Sequence, residues 1–111
     1  MARTTVSAQL AARTGVTPSY NEATETDGDA FLNHGETIIH ILNTGDETTL
    51  TIQTPGTVDG LAIPDREVTI PATTGDKIVG PFPPESYNQS DGKVYIDWSQ
   101  VTGVTFAVIQ V

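Results

Sequence analysis

The chain is expected to fold as an all-β domain: a compact antiparallel β-sandwich or barrel, Ig-like or jelly-roll-like, with an extended N-terminal arm. Three observations lead there. Thr, Val, Ile and Gly are abundant, and Thr, Val and Ile suit a pleated, half-buried surface. Short apolar or alternating runs recur about every ten residues with turn-forming residues between them, the spacing of antiparallel sandwiches. No i, i+3, i+4, i+7 apolar pattern lasts for three turns, so an amphipathic helix has nothing to build on.

Taken in order, residues 1–20 read as the arm and residues 21–111 as the sandwich domain. Within the arm, Ser7–Thr14 reads as one helical turn or a short strand. Glu36–Thr44, "ETIIHILNT", is apolar on both faces and so belongs in the middle of a sheet. Gly45-Asp46-Glu47 then turns the chain into Thr48–Thr54, where Leu50 and Ile52 alternate with polar residues; the two segments are expected to pair as a hairpin. Pro55–Asp65 is too dense in Gly, Pro and Asp for regular structure and reads as a loop, with Asp59-Gly60 able to close a tight turn.

Beyond the loop, "REVTIPA" puts Val68 and Ile70 on one face, and Pro71 marks an edge or a strand end. Thr73–Lys77 is a further turn, leading to a short "IVGPF" strand. Gly80-Pro81-Phe82-Pro83-Pro84 cannot lie inside a sheet, because its three prolines have no N–H for a ladder. Either it displays Phe82 as an exposed anchor, or it crosses the end of the sandwich with Phe82 plugging the core. Lys93–Trp98 directs Val94, Ile96 and Trp98 to one face, the core, and Tyr95 to the other. In Thr102–Val111, Val104, Phe106 and Val108 oppose Thr105, Ala107, Ile109 and Val111, so this strand is covered on both sides or by a partner.

With 111 residues the chain holds one domain, and the absence of cysteine leaves packing or self-association to stabilise it. The longest apolar run, Ile38–Leu42, is interrupted by His40 and far too short to span a bilayer. "MARTTVSAQLAARTG" has no apolar h-region, which points to synthesis in a cytoplasm without secretion. Fourteen acidic against five basic residues give a net charge of −9. Such a surface repels nucleic acid and anionic membranes over a Debye length of about 8 Å. The exception is local: Arg3 and Arg13 precede the first carboxylate, Glu22, so a cationic arm leads an anionic body.

Candidate chemistry is sparse. His34, Glu36 and His40 share parity on or near one strand, yet their spacing is no established metal pattern. Glu22, Glu25, Asp27 and Asp29 crowd hard oxygen ligands together but lack the ligand order of a calcium loop. No nucleophile elbow, phosphate loop or cysteine nucleophile is present, so no enzymatic activity and no cofactor are expected. The residues singled out for partner contact are Arg3 and Arg13 on the arm with Phe82, Tyr87 and Tyr95. Tyr87, Tyr95 and the loop around Tyr20 also keep open a carbohydrate-binding, adhesin-like module, although alternation splits the aromatics between faces.

The segments "ETIIHILNTGDETTLTIQT", "VDGLAIPDREVTIPA" and "IVGPFPPESYNQSDGKVYIDWSQVTGVTFAVIQV" resemble a group of small structural proteins of tailed bacteriophages, encoded near the major capsid protein. The likeness runs from Asp27 onward. It is carried by Asn43-Thr44, the Gly80-Pro81-Phe82 and Asp91-Gly92 turns and the last strand. The resemblance implies a head decoration (cement) protein on the outer capsid surface of the virion, with the major capsid protein and itself, as a homotrimer, for partners. It transfers no catalytic residue. A head–tail connector or tail-tube component is the alternative within the virion. On the decoration reading, deleting Met1–Gly15 should leave the β body folded and weaken attachment.

Overall fold

Among residues 3–111, which a computed structural model describes, alternation of side chains lays out twelve strands and one helical turn. They are β1 Thr4–Thr5, β2 Gln9–Leu10, β3 Asn21–Glu22, β4 Asp29–Leu32, β5 Thr37–Asn43, β6 Thr48–Ile52, β7 Thr57–Val58, β8 Leu61–Ala62, β9 Arg66–Ile70, β10 Gly75–Val79, α1 Pro84–Tyr87, β11 Lys93–Trp98 and β12 Val104–Gln110. The first sheet has the order β1-β4-β11-β6-β9, and the second β10-β5-β12-β2, with β3 also on β12. The small β7-β8 hairpin stands apart. The expected all-β sandwich is therefore the observed architecture.

Its core lies between the two layers. The first sheet contributes Phe31, Leu50, Ile52, Ile70, Val94 and Ile96, and the second contributes Ile39, Ile41, Val104, Phe106 and Val108. Each lies at every second position of its strand, as a one-sided pleat requires. Burying one such side chain stabilises the fold by roughly 1.5–3 kcal/mol. Trp98 sits half-buried at the margin of this core, its ring centroid 5.4 Å from that of Phe106.

The expected hairpin between Glu36–Thr44 and Thr48–Thr54 does not form. β5 pairs with β10 and β12 in one sheet, and β6 pairs with β9 and β11 in the other. Ile39 and Ile41 face Leu50 and Ile52 across the core instead of lying beside them. Alternation fixes which residues point inward but not which layer a strand joins, and a short turn serves either geometry. Here the corner is braced by Asn43, whose amide donates to Asp46 O (2.6 Å) and Pro71 O (3.1 Å) and accepts from Gly45 N (2.9 Å).

A second turn packs into the same corner. Thr44 N donates to Gly103 O at 3.0 Å, and a Cβ on Gly45 would collide with the Thr102 carbonyl. Gly103 has φ +78°, and a Cβ there would lie 2.6 Å from Gly45 N. Gly103→Ala is therefore expected to cost about 1–3 kcal/mol through backbone strain and corner crowding. Thermal unfolding of that variant checks it, an unchanged midpoint being the contrary result.

Residues 3–10 are paired with the body. β1 runs parallel to β4, and β2 runs parallel to β12, so the segment passes from the edge of one sheet to the edge of the other. Between them Val6 is buried, and its N–H donates to Ala30 O at 2.8 Å. The segment works as a latch over one open side of the sandwich. Met1 and Ala2 lie outside the described residues.

Two polar clusters finish the ends. At one, the Asn33 amide donates to Phe82 O (2.7 Å) and Asn88 Oδ1 (2.7 Å), holding "GPFPP" across the sandwich. Phe82 is only 2 % exposed and packs against Phe31 and Tyr87 with centroids 5.6 and 5.5 Å away. Of the two readings of this stretch, the core plug is the one observed. α1, which no helical periodicity announces, is the turn that brings Tyr87 back onto Phe82.

Elsewhere on β4 the carboxylate of Asp29 is wholly buried. It accepts hydrogen bonds from Thr24 N (2.9 Å), Thr24 Oγ1 (2.7 Å) and Trp98 Nε1 (2.9 Å).

Candidate docking surface

Arg3 and Tyr95 come together on the outer face of the first sheet. The Arg3 guanidinium donates to Ile96 O (2.8 Å) and to Asp97 Oδ1 (2.7 Å), and its carbon lies 4.7 Å from the centre of the Tyr95 ring. Tyr95 Oη donates to Asp91 Oδ2 at 2.7 Å. That bond holds the Asp91 carboxyl below the usual carboxylate range and pushes the Tyr95 phenol up. Arg3 thus fastens the latch, and its charge is spent within the molecule.

The remaining candidates separate. Phe82 is withdrawn as a contact residue, since its ring fills the core. Tyr87 is half-buried beside it. Arg13 alone among the five stays exposed, with no ion pair among the described residues. His34 and Glu36 are exposed in the bend before β5, whereas His40 lies on the outer face of the second sheet. There His40 Nδ1 meets Tyr20 Oη at 2.7 Å, and Nε2 meets Asp76 Oδ1 at 2.5 Å. Asp29 has turned into the protein, away from the other acidic residues of its segment. Among the described residues, no group of three His, Asp or Glu side chains is placed to hold a metal ion.

A cleft of about 610 Å³ lies between the latch and β3, lined by Ser, Thr, Gln and Asn with Val6 and Ala8, and Glu22 is the titratable group among these lining residues. A single carboxylate has no partner there for acid–base work.

What the fold does assemble is an apolar strip on the outer face of the second sheet. Register places Ile38 beside Ile109, with Ile78 one step along the neighbouring edge strand. Ile78 is 67 % exposed. Ala107 also faces outward, yet it is fully buried; it pairs with His40, whose ring is bonded to Tyr20. Beside Ile109 the chain between β2 and β3 folds back and encloses a small cavity of about 110 Å³, walled by Ala11, Ala12, Val16 and Pro18. Val16 is 45 % exposed at its mouth. The last strand, expected to be covered on both sides or by a partner, is buried on its inner face, whereas on its outer face Thr105 and Ile109 are half-buried and Val111 is exposed.

Sequence reasoning passed over Ile78 because it assigned Thr73–Lys77 to a turn, whereas β10 begins at Gly75. The signal available was the alternation of Asp76, Ile78 and Gly80 with Lys77 and Val79. Lys77 has the parity of the inward residue Ile41 but is exposed at the rim of the sheet. A charge so placed discourages continuous strand addition at β10.

No protein-family model, curated protein or solved structure compared with the chain matches it.

Proposed function

We propose that this protein is a virion structural component, a decoration (cement) protein that sits on the outside of a phage head and bridges capsomers. The observation that carries the reading is the pairing of a compact sandwich with an apolar strip on one outer face, in which Ile78 is exposed and Ile38 and Ile109 are half-buried. The chain as a whole is acidic, with a net charge of −9. Apolar patches of this kind mark contact surfaces, and a rigid body loses little conformational entropy on docking. On a shell the same contact repeats many times, so each need only be weak. That net negative charge keeps decorated particles apart. The resemblance of Asp27–Val111 to phage proteins encoded beside the major capsid protein supplies the partner.

The test is co-sedimentation of purified protein with undecorated heads, followed by heating. The protein is expected to bind in near-stoichiometric ratio to capsid subunits and to raise the temperature at which heads release DNA. Ile78→Asp is expected to reduce binding at least about tenfold, as for a buried apolar contact, without lowering the thermal midpoint of the free chain. Absence of binding, or binding at ring stoichiometry only, would set the decoration role aside, the latter in favour of a connector.

A further inference from the structure

The β7-β8 hairpin is a second apolar projection that the sandwich does not use. Thr57 through Ala62 are all exposed, and Val58 pairs directly with Leu61, so both side chains stand on one face of the tip. They are 62 % and 71 % exposed. The tip is prebuilt: Asp59 and Gly60 have φ of +52° and +78°, the left-handed pair of a tight two-residue hairpin. Its base is fastened by Thr54, whose hydroxyl lies 2.9 Å from Ile63 O and 3.0 Å from Pro64 O.

We infer that this hairpin inserts into the cavity beside Ile109 on a second copy of the same chain. Three features select that occupant. The cavity, about 110 Å³, is walled by Ala11, Ala12, Val16, Pro18 and Ile109 with Gln9, whose amide is engaged by Thr17 O and Ser19 N, and it suits one branched aliphatic side chain such as Leu61. Arg13, next to the wall residue Ala12, has no ion pair among the described residues. The hairpin carries one charge, Asp59, between its two apolar residues. On a body of net charge −9 a bare carboxylate finds few complements, and the exposed Arg13, next in sequence to the wall residue Ala12, is one.

Hairpin and cavity cannot meet within one molecule. The hairpin hangs between β6 and β9 at one edge of the first sheet, while the cavity lies by β2 and β12 at the opposite edge of the second. Contact between two different patches is head-to-tail, and it closes into a ring or continues as a chain of copies. The inference deepens the decoration reading, resting on it only for the expectation that copies lie side by side.

Two measurements on the free chain, with no capsid present, test it. In sedimentation at rising concentration the protein is expected to associate reversibly. Leu61→Asp should weaken association at least about tenfold, and Arg13→Gln about two- to fivefold, as for a rim ion pair. Since the chain has no cysteine, Leu61→Cys and Val16→Cys single variants can be mixed under mild oxidation. The disulfide between unlike chains should form faster than either like pair. A wild-type chain that stays monomeric up to about 1 mM, unchanged association in Leu61→Asp, or equal rates for all three disulfides would overturn the inference. Head binding by the Leu61→Asp variant is a separate readout, so loss of self-association and loss of decoration are told apart.

Discussion

Asp29→Ala is expected to lower the unfolding free energy by about 3 kcal/mol, because it takes the acceptor from three part-buried donors. The carboxylate is wholly buried and receives Thr24 N–H, the Thr24 hydroxyl and the Trp98 indole N–H. The hydroxyl can turn to another acceptor, but the indole and backbone N–H groups cannot. Each buried donor left without an acceptor costs about 1–3 kcal/mol. Asp29→Asn is the informative companion: it keeps the shape and one acceptor, and turns an NH₂ toward the donors. A smaller loss for Asn than for Ala in urea titration supports the hydrogen-bond account. Equal losses would point to packing instead, and no loss in either would remove Asp29 from the list of groups that hold the sandwich together.

Deleting residues 1–10 is the second large perturbation, with an expected loss of about 2–4 kcal/mol. The deletion uncovers the core beside Val6, whose own burial contributes roughly 1.5–3 kcal/mol. It also frees Ala30 O and takes away the Arg3 bonds across Ile96 and Asp97. The chain no longer has to order the latch, which offsets part of that loss. The body is still expected to fold without this leader, at lower stability. Amide exchange should accelerate along β4 and at the Ile109–Gln110 end of β12, the two edges the latch covers. Exchange unchanged at both edges would show that the latch is not closed in solution. Val6→Asp should reproduce most of the stability loss with every other latch contact still encoded.

Much of the architecture was legible because it depends on local alternation. Val94, Ile96 and Trp98 against Tyr95, Val104, Phe106 and Val108 against Thr105, and Val68 with Ile70 all fall on the faces their parity assigns. The Asp59-Gly60 turn was legible for a related reason, since few residue pairs accept two successive left-handed conformations. What escaped was whatever depends on which segments meet. The turn after Asn43 is compatible with a hairpin or with a crossing, and only the competition of β10 and β12 for β5 decides. The latch is similar: Val6 lies among small and polar residues, and nothing local marks it as buried.

The docking surface shows the same division. Arg3 looked free because its partners, Ile96 O and Asp97, lie far along the chain, and Phe82 looked free because its ring enters the core through a proline-rich loop. Arg13 was legible as an exposed cation. The apolar strip was not, since it combines Ile38, Ile78 and Ile109 from three strands. Val58 and Leu61 flank a turn that was recognised, but their exposure follows from the hairpin standing off the body.

The strand order has a consequence for biosynthesis. β11 lies between β4 and β6, and β12 lies beside β5 at the heart of the other sheet. Neither layer can be completed until residues 93–110 have left the ribosome, and nearly every pairing then joins distant parts of the chain. Topologies of this kind fold slowly, in milliseconds to seconds. Until those strands are available the polypeptide has its charge, its prolines and the absence of cysteine as protection against misassociation, and both layers close together once residues 93–110 join them.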